Sequence, residues 1–285
     1  MTVSQTLKLA AKKLNSKNIA NPCMESEILL SHVLKKPREF ILTHGEKKLS
    51  PSRTDEFKLL ISERIKGKPI AYLTGRKEFY SLDFKVNKNT LIPRPETELM
   101  VEEAIKLAAH SSQPITFVDV GTGSGCVIIT LAKLIKQPKF FATDISDKAI
   151  TVARQNAEFH GVDKKIKFFK GNLLSPLFSN LSFGINNPLI ILANLPYLTP
   201  AQIKNSPTIK YEPKSALDGG PDGLKYYRQL FRQLQALRDI FVLCEIDPGQ
   251  SGKIKQLSKQ LLPDVKLQIK KDLRGLDRLA IIKNF

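Results

Sequence analysis

Residues 117–132 read FVDVGTGSGCVIITLA. An apolar run ends at Val120, glycines alternate at 121, 123 and 125, and apolar residues then continue at helical spacing. Glycine belongs where the backbone must turn tightly and let a ligand approach, so the stretch predicts a strand, a glycine turn and a helix in immediate succession. Reading outward, strands and helices alternate. A helix follows Pro95, with Leu99, Val101, Ala104, Ile105 and Ala108 on one face, and the strand ITFVDV runs into Gly121. Beyond the glycines come strand KFFATD to Asp144, a helix over 147–160, and strands over 166–170 and 189–193. A helix over 224–237, a strand over 240–245, a helix over 250–261 and strands over 265–269 and 278–282 complete the chain. This alternation predicts an α/β domain whose sheet is mostly parallel and covered by helices on both faces. Upstream, Phe79, Leu82, Phe84 and Val86 switch to strand periodicity, with Asn87 and Asn89 marking a turn, which predicts a short hairpin. Residues 1–75 carry only helical periodicity, as in Leu7, Ala10, Ala11 and Leu14, and Asn21-Pro22 and Ser50-Pro51 stand at helix-opening positions. The predicted organisation is a helical domain over 1–75, a hairpin linker over 76–93 and a catalytic domain over 94–285.

The chain's 285 residues, 42% hydrophobic and 25% charged, suit two folded soluble domains and exclude general disorder. Its 45 Lys and Arg against 27 Asp and Glu leave a net charge of +18. That excess invites a nucleic-acid partner but equally suits any acidic particle or plain solubility. It is spread: residues 1–75 hold 14 basic and 7 acidic side chains, so no single tail accounts for it. Cys23, Cys126 and Cys244 are far apart and odd in number, which argues against a disulfide framework or a structural zinc site. The start lacks an apolar signal-type run, and no stretch approaches the ~18–20 apolar residues of a membrane span. A cytoplasmic protein without metal is expected.

The glycine turn and Asp144, at the end of the next strand, form the layout that holds a nucleotide ribose. Both NAD and S-adenosylmethionine suit it. The third glycine comes one residue earlier than in the dinucleotide pattern G-x-G-x-x-G, and S-adenosylmethionine brings no pyrophosphate to the helix N-terminus. Asp119 offers a carboxylate near the cofactor or a cap for the turn. The segment resembles the first motif of the class I methyltransferases, whose Rossmann-like fold is then implied. That resemblance assigns Gly121, Thr122, Gly123, Ser124 and Gly125 to the cofactor, Asp144 to its ribose, and Asn172 and Leu173 to the adenine, with Asn194 also at the cofactor.

LIILANLPYLTP, residues 189–200, ends an apolar strand in Asn194-Leu195-Pro196-Tyr197. A planar NH₂ nitrogen is a poor nucleophile, because its lone pair is delocalised, but it carries two N–H donors. The Asn194 side-chain oxygen and a backbone carbonyl of the motif can orient it toward an incoming methyl group, with Tyr197 packed on its flat face. The nearby Asn187-Pro188 reads as a turn before the strand. Asn-Pro-Pro-Tyr marks amino methyltransferases acting on planar nitrogens, and Asn-Leu-Pro-Tyr also occurs in ribosomal-RNA adenine dimethyltransferases. The tetrapeptide therefore permits an adenine or an amide acceptor. Leu195 keeps the carbonyl of the usual proline but not its fixed φ.

Leu91-Ile92-Pro93-Arg94-Pro95-Glu96-Thr97-Glu98 physically reads as a stiff connector into a capped helix, with Arg94 able to pair with a carboxylate. As a string it resembles the signature of the release factor glutamine methyltransferases, the HemK/PrmC family. The likeness extends to Tyr72, Gly75 and Phe79, to Tyr211-Glu212-Pro213, Gly219-Gly220 and Asp222-Gly223-Leu224, and to Glu245 with Gln250 and Asp272 through Arg278. It implies an enzyme that moves a methyl group from S-adenosylmethionine to the side-chain amide nitrogen of the glutamine in the Gly-Gly-Gln motif of peptide chain release factors. The helical domain would hold the release factor, and the enzyme would act as a monomer. Asn194, Pro196 and Tyr197 would be catalytic, and Leu195, Arg94 and Glu96 would join them in holding substrate. The alternatives are an adenine-N6 methyltransferase acting on RNA or DNA, and a cofactor-binding protein without turnover.

Overall fold

Apolar residues at helical spacing close a small core in the first of two units. The computed structural model describes residues 1–136, 138–179 and 188–284, so Asn187 lies outside the described residues. The first unit comprises Met1–Arg76 with Pro207–Tyr211, and the second Lys77–Ser206 with Glu212–Phe285. In the first, helices α1 (Val3–Asn15), α2 (Pro22–Leu34), α3 (Arg38–Thr43), α4 (Pro51–Ile65) and α5 (Ile70–Thr74) bury Leu14, Leu29, Leu30, Val33, Phe57 and Ile61 together. Thr2 opens α1 with a reciprocal cap to Gln5, and the Ser50 hydroxyl accepts from the Arg53 N–H at the start of α4. Asn21 departs from expectation: it takes φ +52° and its side chain makes no cap bond, so Pro22 alone sets that start. Arg64 donates two hydrogen bonds to Glu25, at 2.7 and 3.1 Å, tying α4 to α2. Lys8, Lys12 and Lys13 of α1, and Lys17 just after it, all face solvent, which places part of this unit's positive charge on a solvated surface.

The second unit opens with β1 (Arg76–Phe79) and β2 (Leu82–Lys85). Their turn is Tyr80-Ser81, both at positive φ, and not the Asn87–Asn89 turn that follows β2. Positive φ at both central residues is the hairpin geometry that asparagine and glycine usually supply, so this turn carried no sequence signal. Phe79 and Phe84 are fully buried against the main sheet, and Asn156 bonds both backbone groups of Lys85. The hairpin expected as a linker is thus built into the second unit.

The main sheet is formed by β3 (Thr116–Val120), β4 (Lys139–Asp144), β5 (Ile166–Lys170), β6 (Leu189–Ala193), β7 (Ile240–Glu245), β8 (Lys266–Lys271) and β9 (Asp277–Asn284). Among the described residues its order is β5-β4-β3-β6-β7-β9-β8, parallel from β5 to β7, with β9 and β8 antiparallel at one edge. Strands β3 and β6 are buried throughout, as strands covered on both faces must be. Phe117, Ile190 and Leu192 point to one core, with α6 (Glu98–Ala109), α7 (Cys126–Leu134) and α8 (Asp147–Phe159). Val118, Val120 and Ile191 point to the other, with α11 (Lys225–Leu234) and α12 (Ser251–Leu261). The short helices α9 (Ser175–Phe178) and α10 (Pro200–Lys204) complete the unit and were not foreseen. The chain continues from β3 to β4 on one side, and β6 returns on the other. The carboxyl ends of β3 and β6 therefore flank the switch point where open α/β sheets bind ligands.

Candidate active site

Val120 pairs with Ala193 in register, so the residues that follow them, Gly121 and Asn194, leave adjacent strands at the same edge. A cleft of about 240 Å³ opens there. The glycine turn forms one wall. The Asp119 carboxylate accepts from the Thr122 hydroxyl at 2.6 Å, and Gly125 donates to the Thr122 carbonyl at 2.8 Å, which closes the loop. Asp144 accepts the Gly123 N–H at 2.9 Å on one oxygen and the Ser146 N–H at 2.8 Å on the other. The loop is thus braced by two carboxylates, both of which line the cleft.

The two acids are electrostatically distinct. Burial pushes the Asp119 carboxyl up to about 7, with Asp144 pushing the same way and the Thr122 hydroxyl and Ile128 N–H pulling down. Burial also raises Asp144, opposed by backbone N–H bonds from Ser146, Gly123 and Ile145. Among the described residues lining the cleft, Arg94 is the one cation, and its guanidinium pairs with the buried Glu212, which also accepts the Ile92 N–H at 3.0 Å. A cleft with two acids and a committed arginine suits a ligand that carries positive charge.

The Asn194–Tyr197 stretch forms the facing wall. Asn194, Leu195 and Pro196 line the cleft, and Leu195 is buried over Gly121, where an added Cβ would stand 3.1 Å from its Cδ2. The Asn194 side-chain NH₂ donates to the Thr97 hydroxyl at 3.1 Å. Thr97 in turn donates to Glu245 at 2.6 Å, and the Tyr197 hydroxyl donates to the other Glu245 oxygen at 3.2 Å. Glu245 ends β7, is buried, and has its carboxyl raised by that burial against the pull of the two hydroxyls and Arg278. The motif's backbone is clasped from outside. The Gln250 side chain donates to the carbonyls of Tyr197, at 2.9 Å, and Gly223, at 3.3 Å. Gly223, at φ +76°, leaves room for that contact, since a Cβ there would fall 2.3 Å from the Tyr197 oxygen.

Of the residues expected at the site, Gly121, Thr122, Gly123, Ser124, Asp144, Asn172, Leu173, Asn194, Leu195, Pro196 and Arg94 all reach this cleft. Three do not line it. Gly125 is a packing glycine: at φ +81°, a Cβ would meet Ile129 at 2.7 Å and Ala153 at 3.2 Å. Tyr197 packs its ring against the hydrophobic core and donates its hydroxyl to Glu245. Glu96 sits in the 3-10 turn before α6, outside the lining. Thr97, within the 96–98 stretch that the resemblance sets along the approach, lines the cleft; Cys126 does so too and is not among the expected site residues, nor is Glu245 behind them. Applying the rule that ligands gather at strand carboxyl ends to β7 would have found Glu245. Burial pushes the Cys126 thiol up to about 12, so it stays protonated at neutral pH. Among the described residues no cluster of His, Cys, Asp or Glu could hold a metal ion, and no helix is long and apolar enough to cross a membrane.

Comparison with known proteins agrees with both units. Residues 5–75 match the PrmC N-terminal domain, and residues 111–274 match a methyltransferase domain. A release factor glutamine methyltransferase from Moorella thermoacetica is 35% identical over 98% of this chain and 97% of its own. One from Chlorobaculum tepidum is 34% identical over 97% and 95%. In fold, the chain is similar to the N-terminal domain of human METTL16 in complex with SAH, with a TM-score of 0.52, 19% identity, and coverage of 80% of this chain and 84% of that one. The α/β unit has the class I methyltransferase fold.

Proposed function

The chain belongs to the release factor glutamine methyltransferase family, and on that premise we propose that it methylates the side-chain amide nitrogen of the glutamine in the Gly-Gly-Gln motif of peptide chain release factors, using S-adenosylmethionine. The observation that carries this reading is the site's pairing of an acid-braced glycine loop with an acceptor asparagine whose NH₂ is already engaged by Thr97.

When bound, S-adenosylmethionine supplies an electrophilic methyl group on a sulfonium sulfur. Asp144, already fixed by two backbone N–H groups, keeps lone pairs for ribose hydroxyls. Asp119 offers negative charge to the ligand's cationic amino-acid end. Asn172 and Leu173 border the cleft where an adenine would lie. Asn194 presents its side-chain oxygen to one N–H of the glutamine amide, and a backbone carbonyl of the motif takes the other. Holding both N–H groups turns the nitrogen's face to the methyl group and stabilises the charge that develops as the bond forms. The helical residues 1–75 serve as the domain that holds the release factor, in a cytoplasmic monomer. This reading does not require the +18 charge.

The test is a labelling experiment. The purified protein is incubated with methyl-labelled S-adenosylmethionine and, in separate reactions, a release factor, its Gln→Ala variant in the Gly-Gly-Gln motif, and ribosomal RNA. Label is expected on the release factor alone. Label on RNA and not on the factor would establish the adenine reading, and label on nothing the binding-protein reading.

A further inference from the structure

Thr97 and Glu245 lie far apart in sequence and meet behind Asn194. We propose that they are positioning residues that fix which end of the Asn194 amide faces the acceptor. The inference rests on the reading that Asn194 receives the acceptor nitrogen.

The Thr97 hydroxyl donates to one Glu245 oxygen at 2.6 Å and the Tyr197 hydroxyl to the other at 3.2 Å. The single hydrogen of the Thr97 hydroxyl is therefore spent, and its oxygen offers only lone pairs to Asn194. The Asn194 atom that lies 3.1 Å from that oxygen must be the NH₂ nitrogen. The side-chain oxygen is left at the opposite end of the amide. It has no hydrogen-bond partner among the described residues and is not among the buried unpartnered atoms, so it stays accessible on a residue that lines the cleft. Without this chain the two orientations of an asparagine amide are nearly equivalent in shape. The wrong one would set an NH₂ against the NH₂ of the substrate, donor against donor. Thr97 comes from the turn before α6 and Glu245 from the end of β7, so the orientation is set by two rigid elements.

Thr97→Val keeps the shape of the side chain and removes the acceptor. Its kcat on a release factor should fall about 10–100-fold, the scale on which misplaced positioning groups act. Its KM and its dissociation constant for S-adenosylmethionine should stay within about twofold, since only the acceptor's orientation is lost. Thr97→Ser restores the hydroxyl and should recover kcat to within about threefold of the parent. Unchanged kcat in Thr97→Val would overturn the proposal, and so would an equal loss in Thr97→Ser, which would assign the effect to packing of the methyl group. An arm independent of the acceptor reads the Asn194 side-chain ¹⁵N–H₂ resonances of the free protein. One hydrogen-bonded proton shift is expected in the parent and in Thr97→Ser, and its loss in Thr97→Val. The same spectrum in all three proteins would also overturn the proposal. Failure of the parent to methylate the release factor would instead sink the functional reading, while the spectra still decide the orientation.

Discussion

Asp119→Asn tests the electrostatics of the cleft through two measurements with opposite signs. The Asp119 carboxyl is buried and raised from 3.8 to about 7. Below its unfolded value both states are protonated and the acid costs nothing. As pH rises from 3.8 toward 7, the unfolded chain releases the proton and the folded chain does not, so stability is lost across that window and levels off above it. A shift of roughly three units amounts to about 4 kcal/mol in full, of which about 3 kcal/mol develops between pH 5 and pH 8. Asparagine does not titrate. Any constant effect of the substitution cancels when the variant is compared with the parent at both pH values. The variant's melting temperature should therefore gain on the parent by roughly 5–10 °C between pH 5 and pH 8, measured without ligand. Affinity should move the other way. The parent should bind S-adenosylmethionine more tightly as pH rises through about 7, where Asp119 ionises. The variant should bind about tenfold more weakly at pH 8, with that pH dependence gone. Calorimetric titration at several pH values reads both features. A melting difference that does not change with pH would refute the raised carboxyl, and a parent affinity flat across pH 6–8 would refute its role against the ligand's positive end.

Further outcomes follow from other contacts. Asn194→Ala should reduce methyl transfer to background while leaving the dissociation constant for S-adenosylmethionine within about threefold, read by titration beside the labelling assay. Gly223→Ala places a Cβ 2.3 Å from the Tyr197 carbonyl at φ +76°. It should cost about 2–3 kcal/mol in urea unfolding and slow transfer as well, because the acceptor motif must shift. Glu212→Ala strands the Arg94 guanidinium and the Ile92 N–H, which Glu212 now satisfies. A loss of about 2–3 kcal/mol is expected, and an unchanged urea midpoint would show that the pair contributes nothing.

Much of the catalytic unit is legible in the sequence. Alternating strand and helix periods, with three glycines after an apolar strand, led to a parallel sheet with both faces covered, because burial on both sides demands near-continuous apolar strands. Local rules failed where local chemistry was not in control. The Tyr80-Ser81 turn takes positive φ without glycine or asparagine, and the buried Phe79 and Phe84 that flank it hold it in place. Asn21 has the residue type of a cap yet does not cap. The Tyr197 hydroxyl bonds to Glu245, 48 residues further on, a partner that no local pattern names.

The sequence by itself determined the class of fold, and it marked the glycine loop and Asn194 as candidates for the site, since each is written in a few neighbouring residues whose types have a direct physical reason. Only the tertiary structure decided how those pieces work together. The crossover that sets β6 beside β3 brings Asn194 against the glycine loop, and the ends of β7 and the turn before α6 bring Glu245 and Thr97 behind it. Hydrogen bonds between residues 97 to 148 positions apart follow from how the sheet is ordered, and no local pattern of residue types encodes that order.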